Sequence, residues 1–296
     1  MPFISWKYRL HIAHGVSRWI LYPVLYHVLR YRKKVVRENL RIAFPEKSAK
    51  ERLMLEREFY SAFADMIMEI LVGRRFSEED MKNLVRINHK EEVAAHCKHY
   101  GGGFLMLGHF LNWEWGVDYA NQFATCGIEC ASIYKRLRNP FFDKLMIAIR
   151  KQRGGSLVEM DSLLRTMIRN RNNGHTVVYA MLADQRPRKQ SAKIPMVFMG
   201  QDVNMLFGTE QLAVRFAYPV YYAFVTSHSR GHYEVDFHLI YDPDTESGLQ
   251  KGEITKRFAE QLENNILQNP SRWLWSHRRF LHSRPRLASS VTGAAE

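Results

Sequence analysis

The chain has 296 residues, 46% of them hydrophobic and 25% charged, which is enough for a substantial core and too apolar for a disordered chain. Its 43 Lys and Arg against 30 Asp and Glu give a formal charge of +13, so an acidic partner is expected: nucleic acid, anionic lipid head groups, an acidic carrier protein or a phosphorylated substrate. The three cysteines, Cys97, Cys126 and Cys130, are odd in number and lack the paired spacing of a zinc site, and they read as ordinary thiols of a reducing compartment.

The N-terminus, MPFISWKYRLHIAHG, scatters charges where a cleavable signal would carry an apolar run and a small-residue cleavage site. Trp19 to Leu29 is an apolar run of 11 residues interrupted by Pro23 and His27, short of the roughly 20 that span a bilayer. Arg18 lies on one side of it, and Arg30, Arg32, Lys33, Lys34 and Arg37 on the other. Trp19, Tyr22, Tyr26 and Tyr31 are aromatics of the kind that settle at head-group level. A helix lying in the membrane interface is expected, the plainer alternative being an amphipathic core helix with a basic end.

Ser48 to Gly73 repeats Leu53, Leu55, Phe59, Phe63, Ile67 and Ile70 at helical intervals, with Gly73 as the stop. Leu84 to Ile87 reads as a short strand, and Gly101-Gly102-Gly103 leads into Phe104 to Leu107, a buried strand. Trp113 to Phe123 and Phe141 to Arg153 read as helices on either side of a strand over Ile128 to Tyr134. In the second half, helices are expected over Ser162 to Asn172, Thr209 to Phe216 and Thr255 to Gln268, and strands over Thr176 to Leu182, Tyr218 to Ser227 and His232 to Tyr241. This alternation predicts an α/β fold, a mainly parallel sheet flanked by helices, with an N-terminal helical membrane-associating segment. The expected division is a basic membrane-interacting segment over 1–45, an α/β domain over 46–287 and a disordered tail over 288–296.

Gly108 and His109 stand where the Phe104–Leu107 strand should end, and the carboxyl ends of parallel strands are where such folds build sites. Asn112 is a suitable cap for the following helix, which puts Glu114 in its first turn. A strand–turn–helix junction can bring the Glu114 carboxylate beside the His109 ring. A carboxylate on one ring nitrogen fixes the tautomer and makes the other nitrogen a better base for a hydroxyl proton. No serine or cysteine stands beside His109, which favours direct transfer to an acceptor hydroxyl over an acyl-enzyme. The competing reading is a capping or core histidine, with Glu114 merely favouring a helix N-terminus.

The His-x-x-x-x-Glu box in GHFLNWEWG resembles the signature of the bacterial lipid A late acyltransferases, within the lysophospholipid acyltransferase superfamily. Further blocks follow in order: Tyr134-Lys135-Arg136 with Asn139-Pro140 and Asp143, Ala183-Asp184-Gln185, Phe207-Gly208-Thr209, and Asn269-Pro270 with Trp273-Leu274-Trp275-Ser276-His277-Arg278-Arg279-Phe280. The resemblance implies transfer of a fatty acyl group from an acyl carrier protein thioester to a hydroxyl of a lipid A precursor, an acylated and phosphorylated glucosamine lipid. It makes 46–287 the acyltransferase domain, His109 the general base and Glu114 its orienting partner. No metal or cofactor is implied; an acyl-carrier-protein or acyl-coenzyme A thioester is the co-substrate. The implied place of work is the cytoplasmic face of the bacterial inner membrane, on an anionic membrane lipid surface. One departure is Lys135, where the family often has arginine, with Arg136 next.

Lys135, Arg136, Arg150, Arg153 and Asp184 are the expected substrate-binding residues. Arg150, Lys151 and Arg153 precede Gly154-Gly155 and suit phosphate or an acidic helix of the carrier, or else form a solvated helix face. Asp184, just past a strand, is placed to position substrate or to pair with an arginine. Trp273, Trp275 and His277 read as packing residues, and Arg278 and Arg279 as surface cations for phosphates or membrane. The 13 histidines form no metal-ligand set. Two other functions fit in part. The same chemistry can serve another membrane lipid, a glycerolipid or amino-acid lipid. A basic nucleic-acid-binding protein explains the charge but predicts a stacking face that is not found.

Overall fold

A computed structural model describes residues 5–136, 139–151, 156–246, 248–281 and 283–285. Ser5 caps α1 (Trp6–Val16), and the chain continues through two π-helical turns, Ser17–Leu21 and Val24–Val28, on either side of Pro23. Proline has no N–H to give the helical ladder, and widened turns around it absorb the missing bond. The run expected as a regular helix is therefore bulged. Arg30 and Arg32 then adopt left-handed backbone, with φ of 47° and 50°, before α2 (Lys33–Ala43).

A reciprocal capping box between Ser48 and Glu51 opens α3 (Ala49–Gly73), the long helix on which the N-terminal elements pack. Leu10, Leu25, Val36 and Leu40 join the same hydrophobic core as the sheet. Among the described residues no helix is long and apolar enough to cross a membrane.

Helices and strands then alternate. α4 (Glu78–Leu84) precedes β1 (Val85–Ile87), and α5 (Lys90–Tyr100) precedes β2 (Gly102–Leu107). A 3-10 turn (Trp113–Val117) and α6 (Asp118–Ala124) lead to β3 (Glu129–Tyr134), α7 (Pro140–Lys151), β4 (Ser156–Glu159), α8 (Leu163–Asn172) and β5 (Val177–Leu182). After β6 (Lys193–Phe198), β7 (Gln201–Leu206) and α9 (Gly208–Phe216) come the long strands β8 (Val220–Ser229) and β9 (His232–Tyr241). α10 (Glu253–Gln268) and the short β10 (Arg284–Pro285) finish the described fold.

The main sheet runs β1-β9-β8-β2-β5-β3-β4, every neighbouring pair parallel except the β8–β9 hairpin. The expected α/β architecture with a mainly parallel sheet is what forms. β2, between β8 and β5, is buried along its whole length, as a central strand covered on both faces must be. Gly102 and Gly103 permit that cover. An added Cβ would lie 2.6 Å from the Tyr218 ring at the first and run into the Cys97 sulfur at the second. Burial pushes the Cys97 and Cys130 thiols up to about 12, so both stay protonated.

Two features escape the sequence pattern: the edge strand β4, and a second, antiparallel sheet of β10, β7 and β6. β6 carries Lys193 and Pro195 at exposed positions, and a proline is tolerated there because β6 is an edge strand.

Candidate active site

β2 and β5 are adjacent, parallel and in register, and their last paired residues are Leu107 and Leu182. The Ala183 amide continues the ladder by donating to the Leu107 carbonyl at 3.0 Å. Two residues past that last pair on each strand come His109 and Asp184, side by side at the carboxyl edge of the sheet. His109 donates from Nδ1 to Asp184 Oδ1 at 2.6 Å, and its backbone N–H donates to Oδ2 at 2.8 Å. Trp273 adds its indole N–H to Oδ2 at 2.7 Å. Burial works against the Asp184 charge, but the adjacent His109 and these three hydrogen bonds outweigh it and hold the carboxyl at about 2. It is ionised at any physiological pH.

That geometry sets the tautomer. With the proton on Nδ1, Nε2 is left as a hydrogen-bond acceptor, and the Gln185 amide donates to it at 3.1 Å. The Trp113 ring meets the imidazole edge-on, with centroids 5.0 Å apart.

The C-terminal segment underpins the pair. Phe110 and Trp273 form an isolated antiparallel bridge, Leu274 donates to the His109 carbonyl at 3.0 Å, and Leu111 donates to the Arg272 carbonyl at 2.9 Å. His277 Nε2 accepts the Arg186 backbone N–H at 3.1 Å, and burial pushes its ring down to about 4, keeping it neutral for that role. The Asn39 amide ties α2 to this segment through the carbonyls of Trp275 and His277.

Glu114 does not fill the role expected of it. The carboxylate on the His109 ring is Asp184, while both Glu114 oxygens are held by Arg150, through Nε at 2.9 Å and Nη2 at 2.7 Å, with the Trp113 indole donating at 3.1 Å. The reason is local. The segment after Asn112 closes as a tight 3-10 turn rather than a regular α-helix. Asn112 does not cap it with its side chain but sends its amide to buried Glu69 at 2.9 Å. Glu69 also binds His14 at 2.8 Å and the Tyr233 hydroxyl at 2.6 Å, so α1 and α3 are tied to the loop that carries His109.

In front of Nε2 opens a cavity of about 450 Å³. Leu107, Ile133, Met160, Ala180, Leu182 and Leu206 form its apolar wall, and Glu114, Arg150, Gln185, Arg186 and Arg188 its polar side. Lys135 and Arg136 also line it, Arg136 paired with Glu159 at 2.8 Å. Arg153 lies outside the described residues. Arg279, expected at the surface, is only 1% exposed: it donates to the Asn204 carbonyl at 3.1 Å and lies over the Phe198 ring. Burial brings it down to about 10, still charged at neutral pH. Arg278 is exposed, as expected.

Three roles had no explicit signal in the sequence: Asp184 as the ring partner, Trp273 as its donor and Gln185 on Nε2. The usable clue was that His109 and the Asp184-Gln185 pair each follow an apolar strand. What emerges is an imidazole, held from behind by an ionised carboxylate, presenting its second ring nitrogen to an apolar cavity with cationic side chains at its rim. It can take a proton from a hydroxyl presented there.

The sequence pattern of the bacterial lipid A biosynthesis acyltransferases matches residues 3–282. The chain is also similar to the lipid A biosynthesis lauroyltransferase of Escherichia coli (strain K12), 27% identical over 282 residues that cover 88% of this chain and 86% of the relative.

Proposed function

Because the chain belongs to the bacterial lipid A biosynthesis acyltransferase family, we propose that it moves a fatty acyl group from an acyl carrier protein thioester to a hydroxyl of a lipid A precursor, with His109 as general base. The observation that carries the reading is the His109 Nε2 atom at the cavity, its ring held by Asp184.

In this mechanism the acyl chain lies against the apolar wall and the acceptor hydroxyl displaces the Gln185 amide from Nε2. As the hydroxyl oxygen attacks the thioester carbonyl, Nε2 takes its proton. A C–O bond forms, and the tetrahedral intermediate then expels the thiolate by breaking the C–S bond. The proton on Nε2 passes to the departing sulfur, which leaves as a thiol and restores the neutral ring. Asp184 stabilises the transient imidazolium without changing its own protonation, consistent with its low pKa. Glu114 works one step back, fixing Arg150 in the cavity wall so that its positive charge faces the carbonyl oxygen as it becomes an oxyanion.

The partners follow from charge. Lys135, Arg136, Arg186 and Arg188 at the rim suit an acidic carrier and a phosphorylated lipid rather than nucleic acid. The exposed apolar side chains between Trp19 and Leu29 support peripheral seating on the cytoplasmic face of the inner membrane.

The test uses purified protein, a carrier-bound fatty acyl donor and an acylated glucosamine phosphate acceptor, with the product read by mass spectrometry. Wild type should add one acyl chain and His109→Ala should lose at least about a thousandfold in rate. Transfer by His109→Ala at the wild-type rate would remove the mechanism. Transfer by wild type only to glycerolipid acceptors would reassign the substrate.

A further inference from the structure

A second concave surface, of about 680 Å³, lies where the second π-helical turn, the start of α2 and the C-terminal segment meet. Its wall carries Arg30, Arg32, Lys33, Lys34, Arg37 and Arg278. Half of these cations are engaged. Glu56 takes Arg37 at 2.8 Å and Lys33 at 3.7 Å, and Arg32 donates to the Ser276 carbonyl at 3.0 Å. Arg30, Lys34 and Arg278 are exposed, and none of the carboxylates among the described residues is paired with them.

The turn that carries Arg30 and leads into α2 is strained. Arg30 and Arg32 both sit at positive φ, where a side chain crowds the backbone. The Tyr60 hydroxyl on the Tyr31 carbonyl and the stacking of Tyr31 on Phe63 hold the turn in place. Strain of this kind persists only where the surroundings impose it, and it concentrates at binding sites.

Two neighbours define the ligand. Trp19 is 75% exposed and Val28 73%, with Ile20 and Leu29 also exposed. A soluble phosphate or a nucleic acid would leave these groups in water, whereas a bilayer interface covers them. On the other side, His277 adjoins Arg278 and feels the charges of Arg32 as well as those of His109 and Asp184. Arg278 in the wall of the basic concavity directly follows His277, whose ring accepts the backbone N–H of Arg186 in the wall of the catalytic cavity, so one short segment borders both surfaces. Three uncommitted cations suit the double charge of a phosphomonoester better than the single charge of a phosphodiester.

We propose that Arg30, Lys34 and Arg278 bind the phosphomonoester of the lipid acceptor at the bilayer surface while its hydroxyl reaches His109. The proposal rests on the acyl-transfer reading for the identity of the acceptor, but its test does not depend on turnover. Binding is measured in detergent micelles with an acylated glucosamine phosphate and with the same lipid after phosphatase treatment. Wild type should prefer the phosphorylated form by about tenfold or more. The variant Arg30→Gln/Lys34→Gln/Arg278→Gln should lose that preference while kcat at saturating acceptor stays near wild type. A retained preference, or an equal loss of affinity for both lipids, overturns the assignment.

Should the triple variant fail to fold, judged by circular dichroism and melting, Lys34→Gln and Arg278→Gln alone should each remove part of the preference. A separate arm uses phosphatidylcholine vesicles with and without phosphatidylglycerol. If the variant loses vesicle binding yet keeps the micellar preference, the site serves bulk anionic lipid and the acceptor assignment is wrong. A wild type that shows the preference but makes no product would leave the phosphate site standing and sink acyl transfer instead.

Discussion

His109 and Asp184 stand 75 residues apart in the chain and 2.6 Å apart in space. The link is made by two parallel strands that end in register, so a histidine two residues past one strand meets an aspartate two residues past the other. Asp184 accepts the ring N–H, the His109 backbone N–H and the Trp273 indole N–H, and it has no donor of its own to offer.

Asp184→Asn should therefore be far more damaging than its size suggests. If the amide oxygen stays on the backbone and indole donors, the amide NH2 faces Nδ1. The ring must then accept there and carry its proton on Nε2, where it can no longer act as a base. We expect kcat to fall by about a thousandfold or more with binding of the acyl donor nearly unchanged. Steady-state kinetics on the purified variant decide it, and a loss smaller than tenfold would contradict the assignment.

Glu114 and Arg150 should behave as a unit. Their side chains are 8% and 21% exposed, so removing either one strands a charge against the cavity wall. Glu114→Gln and Arg150→Met should each cost about 3 kcal/mol of stability, and the double variant about the same as either single one. Chemical denaturation of the four proteins gives the coupling directly. Additive losses would mean that the two groups act separately.

Trp273→Phe keeps an aromatic side chain but trims the buried indole to a phenyl ring and deletes one hydrogen bond to Asp184. A bond to a buried carboxylate contributes about 2 kcal/mol, and loss of this one also loosens the aspartate behind His109. The expected result is a stability loss of that order with a kcat about tenfold lower and an unchanged KM for the acyl donor. A normal kcat would show that the His109 contacts alone orient the aspartate.

Stability should fall on mild acidification because of His277. Burial lowers this ring from 6.5 to about 4, so between those values the unfolded chain binds a proton that the folded chain refuses. The histidine's contribution is fully present above pH 6.5 and is lost as pH falls towards about 4, by an amount on the order of 3 kcal/mol. Melting curves from pH 7 to pH 4 should show a shallower decline for His277→Gln, whose side-chain oxygen can still accept the Arg186 N–H. Parallel curves for the two proteins would contradict the buried neutral ring.

The sequence showed the alternation of helices and strands, the sharp end of β2 at Gly108-His109, and the strand-end position of Asp184, because apolar runs and glycines mark these locally. It did not show which strand lies beside which. The order that puts β5 next to β2 and β8 on its other side is a long-range choice made by packing. With strand neighbours unknown, the nearest carboxylate along the chain, Glu114, looked like the natural partner of His109. Glu114's real partner, Arg150, lies 36 residues on, in a different helix. Arg279 misled for a related reason: composition marks arginine as a surface residue, and only tertiary packing reveals the Phe198 ring and the Asn204 carbonyl that receive it.

The bridge between Phe110 and Trp273 has a bearing on the birth of the protein. A ribosome releases the strands bearing His109 and Asp184 long before residue 273, so the nascent chain can assemble its sheet while the aspartate still lacks its indole clamp. The clamp on the proposed site then arrives as one of the last events of synthesis, and a prematurely terminated chain carries the histidine and the aspartate without the indole that holds the carboxylate.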